Sequence, residues 1–172
     1  MFGKLTIAFL LVIQMYMASC SKSAEMPISG LEGTWVLKNV FLSDALDGPC
    51  SSPNYQTEIT LKFSIDSTDA EKPVYRISGK SAVNSYFGSF EIAEFDTEND
   101  SGIIKFSPIG STKMAGPEEL MRCESRYFSY FKEETDFSFD FESPKPILRI
   151  GTFRKPDSHP RDGGYFLIFE KK

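Results

Sequence analysis

Histidine is nearly missing: the 172 residues contain one, His159. A nucleophilic triad needs an imidazole oriented by a carboxylate. The single candidate sits in Asp157-Ser158-His159-Pro160-Arg161-Asp162-Gly163-Gly164, a hairpin tip too loosely held to fix reacting groups to about half an ångström. It reads as a solvated loop histidine. Three cysteines without a Cys-x-x-Cys pair exclude the common zinc arrangements, so no metal and no cofactor is expected. No glycine-rich phosphate loop is present. The chain carries no long run of Lys or Arg and a net charge of −5, which disfavours nucleic acid as a partner. Nor does any apolar run reach the roughly 20 residues of a membrane-spanning helix.

The longest apolar run, residues 5–17, follows Lys4 and leads into Met17-Ala18-Ser19-Cys20. A charged start, a short hydrophobic stretch and small residues before a cut are the marks of a secretory signal. With Cys20 directly after Ala18-Ser19, that signal reads as a lipoprotein leader whose modified residue is Cys20. An ordinary secretory signal or an uncleaved anchor is the alternative. The expected organisation is a leader over 1–19, a lipidated polar tether over 20–29 and one domain over 30–172. The membrane partner would be reached through acylated Cys20, durably if two or more chains are attached. Ser21, rather than Asp, favours the outer membrane in a cell that has two. Outside the cytoplasm Cys50 and Cys123 are expected to form a disulfide. Two buried free thiols are the alternative.

From Gly30 onward period-two alternation dominates. Glu58-Ile59-Thr60-Leu61-Lys62-Phe63-Ser64-Ile65 is the cleanest case, and Asp136-Phe137-Ser138-Phe139-Asp140-Phe141-Glu142 puts three Phe on one face. Further strands are expected over 34–42, 74–79, 88–93, 103–106, 147–153 and 165–170. The last lacks alternation, as though covered on both faces. One segment has a helical period: after Pro117-Glu118-Glu119, the residues Leu120, Cys123, Tyr127 and Phe131, joined by Phe128, form an apolar stripe over 117–133. The fold class is therefore mostly β (α+β), an antiparallel sheet of about eight strands curled into a partly open barrel or a two-layer sandwich, with one amphipathic helix. Sixteen Phe favour an interior filled by side chains.

Two charged features invite a chemical reading. Asp96-Thr97-Glu98-Asn99-Asp100-Ser101-Gly102 alternates oxygen ligands like a calcium loop, but its glycine comes one position late and no bidentate Glu follows. It reads as a charged hairpin tip. Glu124 lies beside the apolar stripe, where a buried charge needs a partner. Arg122 and Arg126 are too near in sequence to face it, so a structural ion pair with a sheet residue such as Arg76 or Arg149 is expected.

Three blocks carry a family resemblance. Leu31-Glu32-Gly33-Thr34-Trp35-Val36-Leu37 resembles the opening strand of META/HslJ-type domains, which often follow a lipoprotein signal. The stretch from Ile77 through Gly79, Asn84 and Gly88 to Phe90 resembles their central signature. Ser111-Thr112-Lys113-Met114-Ala115-Gly116-Pro117 resembles the signature before the helix, and Glu124 falls where the family's helix places a Glu. The motif residues are thus Trp35, Gly79, Asn84, Gly88, Thr112, Met114, Pro117 and Glu124. Where the family commonly has cysteines, before the Asn and before the Pro, this chain has Val83 and Gly116. Physically these residues read as folding devices: Gly79 and Gly88 as turn formers, Asn84 as a loop cap, Pro117 as the helix start and Trp35 as a core anchor whose ring nitrogen is bonded.

The resemblance implies a non-enzymatic envelope domain connected with stress or drug tolerance, acting on an unknown envelope protein. An exposed sheet edge or a groove beside the helix would serve. The alternative is a lipocalin-like carrier of a lipid or other apolar ligand, its cavity lined by Phe128, Phe137, Phe139 and Phe141.

Overall fold

A computed structural model describes residues 28–48, 50, 57–66, 74–155, 157, 159 and 162–172. The leader, Cys20 and the tether as far as residue 27 lie outside the described residues. In chain order the elements are α1 (Ile28–Leu31), β1 (Gly33–Leu42), β2 (Ala45–Asp47), β3 (Thr60–Asp66), β4 (Val74–Lys80), β5 (Ser85–Asp96), β6 (Ser101–Phe106), β7 (Gly110–Ser111), α2 (Glu118–Phe128), β8 (Glu134–Asp140), β9 (Ile147–Phe153) and β10 (Gly164–Lys171).

The alternating segments form the expected strands, and the ring closes. Strands β1, β3, β4, β5, β6, β8, β9 and β10 pair antiparallel in that order, and β10 returns to β1 from Trp35 opposite Lys171 to Leu42 opposite Tyr165. The result is a closed eight-stranded barrel with β2 and β7 as short additions. Register shifts in β1 between Leu37 and Asn39, and in β5 between Ile92 and Glu94, supply local bends. Such bulges bend and twist a strand, as closure requires.

Inward residues fill the interior. Trp35, Leu61, Phe63, Ile77, Tyr86, Ile104, Phe137, Leu148, Ile150, Leu167 and Phe169 are all fully buried. Several of their rings meet edge-on, as in Phe63–Phe90 at 5.1 Å and Phe137–Phe139 at 5.5 Å, an arrangement aromatic quadrupoles favour. Trp35 donates its indole N–H to the Leu31 carbonyl at 2.7 Å, which fastens α1 over the opening strand. Ile28 and Ser29, assigned to the tether from sequence, are the first residues of α1.

Helix α2 packs onto the barrel through Leu120, Glu124 and Tyr127, all buried. It is shorter than the stripe implies. Beyond Phe128 the amides of Tyr130 and Phe131 bond to the carbonyls three residues back. This tightening ends the helix and turns Phe131 onto Phe106, with ring centroids 5.0 Å apart. Three other sequence readings change. Gly79 and Gly88 are strand residues rather than turn formers. Gly79 is required for close approach, because a Cβ there would lie 2.0 Å from the Thr60 carbonyl oxygen and 2.7 Å from the Tyr86 ring. Among the described residues no second layer covers strand β10: Phe166 lies on the outer face, stacked on Phe41 at 4.7 Å and edge-on to Phe153 at 5.4 Å. A surface aromatic cluster thus replaces the polar side of the alternation. The third Phe of β8's pattern, Phe141, lies past the strand's end and is 42% exposed.

The helix is also tied to the segment after β2. Cys50 and Cys123 are joined as a disulfide with Cα atoms 5.3 Å apart, and Arg126 pairs with Asp47 at 3.2 Å. The bridge spans a sequence separation of 73, for which loop-closure entropy gives about 4 kcal/mol. The double variant Cys50→Ala/Cys123→Ala should lose about that much in urea unfolding, and reduction of the wild type should reproduce it. A urea midpoint unmoved by dithiothreitol would show that the bridge contributes nothing.

Candidate functional site

The two family-like signatures and the helix meet at one buried carboxylate. Residues 81–84 form a tight turn between β4 and β5. The Ser81 amide donates to the Asn84 carbonyl at 2.8 Å, and the Asn84 amide returns a bond to the Ser81 hydroxyl oxygen at 3.1 Å, which leaves the one hydroxyl proton for Glu124. Glu124 of α2 enters this turn from above. Its Oε2 accepts from the Ser81 hydroxyl, from the Val83 amide at 3.1 Å and from the Asn84 amide at 2.8 Å, while Oε1 accepts from Asn84 Nδ2 at 2.8 Å. Asn84 then reaches the third segment: its Oδ1 accepts from the Thr112 hydroxyl at 2.8 Å and from the Met114 amide at 2.7 Å. No buried side-chain nitrogen or oxygen among the described residues lacks a partner.

Glu124 is therefore held differently from the sequence expectation. Arg76 pairs with Asp66 at 3.2 Å and Arg149 with Asp140 at 3.8 Å, and neither reaches the helix carboxylate. The reason is physical: aligned N–H and O–H donors stabilise an ionised carboxylate without the cost of burying a second charge. Burial pushes the Glu124 carboxyl up, but the donors Ser81, Asn84 and the amides of Asn84 and Val83 outweigh it, and the group rests below its ordinary value.

Beside this network lies a second polar link. Tyr86 donates its hydroxyl to the Thr60 carbonyl at 2.9 Å, over Gly79, which leaves Tyr127 to donate to the Tyr86 oxygen at 2.7 Å. Burial raises both phenols above their ordinary value, so the pair stays neutral. Of the motif residues, Asn84, Thr112, Met114 and Glu124 come together here and Gly79 adjoins them under Tyr86. Pro117 caps the helix with its carbonyl accepting from Met121 at 3.0 Å. Gly88 lies within β5 opposite Ile77, and a Cβ there would meet that side chain at an ordinary 3.5 Å. Trp35 packs elsewhere, against Phe139, with the Lys171 ammonium 5.3 Å from its ring. Ser81 and the Tyr86–Tyr127 pair were not singled out from sequence. The Ser-x-x-Asn spacing of a self-closing turn was the available signal for Ser81.

A family model, the META domain, matches residues 29–151. The chain belongs to the META-domain family. An NMR structure of a protein from Burkholderia xenovorans shares the fold with a TM-score of 0.57 and 21% identity, over 85% of this chain and 86% of that one. No curated protein matches the sequence. In this META domain the two positions where the family commonly has cysteines face each other: a Cβ on Gly116 would lie 2.9 Å from a Val83 methyl. Apolar contact occupies the place of a bridge.

The other candidates are placed apart. His159 is exposed on the β9–β10 connection, and its neighbours Ser158, Pro160 and Arg161 lie outside the described residues. Residues 96–102 form the β5–β6 hairpin tip, where Asp96 accepts from the Glu98 amide at 2.9 Å and from Asn99 at 2.7 Å. Among the described residues no group of three or more His, Cys, Asp or Glu is placed to hold a metal. A solvent-open cleft of about 1120 Å³ runs beside β5, lined by Tyr75, Phe90, Phe106, Phe128 and Phe131 among others. Of the four Phe named for a ligand cavity, only Phe128 borders it. Phe137 and Phe139 are buried in the packed interior.

The carboxylate's lowered value fixes a sign. Its stabilisation is complete above the ordinary carboxylate range, about pH 4.3, and fades as pH falls through the folded-state value. Glu124→Gln should cost about 3 kcal/mol at pH 7, since an amide nitrogen would then oppose N–H donors. Urea titrations at pH 7 and pH 3 should show the gap between wild type and variant narrowing at the lower pH. An unchanged gap would mean that the ionised form has no special role.

Proposed function

We propose that this META domain is a non-enzymatic, membrane-tethered envelope lipoprotein that works by binding a protein partner. The observation that carries this reading is the state of the family motif. Asn84, Thr112, Met114 and Glu124 are bonded to one another, and every donor aimed at the carboxylate is engaged. The carboxylate is buried and makes its bonds to the turn of residues 81–84, so the motif acts as a clasp between helix and sheet. Binding must then occur on surfaces that the clasp shapes.

The sequence before the domain supplies the address. Residues 5–17 and Met17-Ala18-Ser19-Cys20 have the pattern of a lipoprotein leader, and the polar residues after Cys20 are suited to a tether. A carrier of the lipocalin type is less well supported, because its ligand would occupy the barrel axis, where Trp35, Phe63, Phe137 and Phe169 are packed.

Cys20→Ala should move the protein from the membrane fraction to the soluble one. Continued sedimentation with membranes would argue against a lipid anchor. Native mass spectrometry of the wild type in detergent separates the binding modes. A mass matching chain plus acyl groups alone fits partner binding, whereas a further stoichiometric lipid would favour the carrier.

A further inference from the structure

Among the described residues the ladder of the barrel wall is interrupted between β4 and β5. The β4–β5 ladder runs from Lys80 opposite Ser85 to Arg76 opposite Ser89 and stops there. Strand β4 continues to Val74, paired with Asp66 of β3. Strand β5 continues to Asp96, paired on its other side with β6, from Phe90 opposite Phe106 to Asp96 opposite Ser101. Two neighbouring strands therefore diverge. Among the described residues, the β4-facing edge of β5 beyond Ser89 has no ladder partner. Unpaired strand edges are ready templates for another strand.

The open cleft of about 1120 Å³ lies at this divergence. Its floor is aromatic: Tyr75 rests on Phe90 at 5.5 Å, and Phe106 on Phe131 at 5.0 Å. Small-molecule sites are usually enclosed and of roughly 300–1,000 Å³, whereas this trough is open along its length. A chain segment fits it better than a compact ligand does. The rim is acidic. Among the described lining residues, Glu91 and Glu133 are acidic, and Lys105, the one cation, is paired with Glu134 at 3.0 Å. Glu94 and Asp96 extend the negative charge along β5. A second copy is a poor occupant, because antiparallel self-pairing of this edge would set acids against acids. Anionic lipid is disfavoured for the same reason.

We infer that this cleft receives an extended, lysine- or arginine-bearing segment of a protein partner. The segment adds to the edge of β5 beyond Ser89, which has no ladder partner among the described residues, seats apolar side chains on the aromatic floor and meets Glu91 and Glu133 with its cations. The inference rests on the partner-binding reading above and gives it a site and a partner chemistry.

The probe is a labelled peptide alternating Lys with Val and Phe, compared with the same peptide carrying Glu for Lys, on the full chain in neutral detergent. The Lys peptide should bind and slow amide exchange across residues 90–94. The doubly reversed variant Glu91→Lys/Glu133→Lys, at exposed positions, should weaken it about ten-fold or more. N-methylation of every second peptide amide should abolish binding, because it removes donors along one strand edge. Absence of binding at millimolar peptide, equal binding of the Glu peptide, or indifference to the charge reversal would each overturn the site. In cells, photo-crosslinkers at Ser107 in the cleft and at Tyr165 on β10 separate the two levels of the argument. A partner captured only from Tyr165 removes this cleft and leaves partner binding standing, while capture from neither position removes both.

Discussion

Everything on the helix side of this protein depends on burying one ionised carboxylate without a counterion. Glu124 is 6% exposed, and stripping water from a carboxylate costs several kcal/mol unless it is replaced. Two backbone amides, one hydroxyl and one side-chain amide replace it. The amides come from a turn whose shape is fixed by reciprocal Ser81–Asn84 bonds. The same Asn84 side chain gathers residues 112–114. Three segments distant in sequence are thereby required to be in place together, and a slip in any of them leaves a buried charge with orphaned donors. Alternative dockings of α2 are penalised more heavily by this arrangement than apolar packing alone would penalise them.

The same geometry explains what could be read from the sequence. Alternation over 58–65 and 136–140 reports side chains facing a packed interior, and period-two patterns survive because one face of each strand touches water. Closure was not legible. Whether β10 meets β1 depends on bends at the bulges of β1 and β5, which are set by backbone geometry rather than by residue pattern. Strands β2 and β7, of three and two residues, are too short to carry a period. The partners of Glu124 were illegible for a different reason: backbone N–H groups occur at every residue and leave no compositional trace, so a search among arginines could not find them. The motif residues themselves were legible through the family resemblance, and their mutual contact became visible only in three dimensions. Gly79 was noticed for the wrong property, since steric access for Tyr86 and Thr60, not turn formation, is what its missing Cβ provides.

The apolar side of helix docking reaches further than the clasp. Tyr127, one turn beyond Glu124, packs edge-on to Phe131 at 5.0 Å and joins Tyr86 through its hydroxyl. Phe131 in turn packs on Phe106, and Phe106 and Phe131 both line the cleft. The disulfide and the Arg126–Asp47 pair hold the opposite flank of the helix. The helix is thus pinned on two sides, and the unwound residues 129–133 carry its last aromatic ring outward to become a cleft wall.

This continuity links the motif to the cleft proposed as a binding surface, although no motif residue lines that cleft. A closed barrel abolishes strand edges, which protects it from adventitious pairing. On the proposed reading, a partner strand entering at the β4–β5 divergence gains selectivity that an open sheet lacks, because it has a defined place to enter and a charge pattern to match. The wall on the helix side of that divergence stands where it does because Tyr127 and Phe131 follow Glu124 at fixed spacing. Loss of the carboxylate's donors would loosen α2 and with it Phe131. If the cleft binds a partner as proposed, affinity and helix docking would then fall together, even for substitutions in the turn of residues 81–84, whose members do not line the cleft.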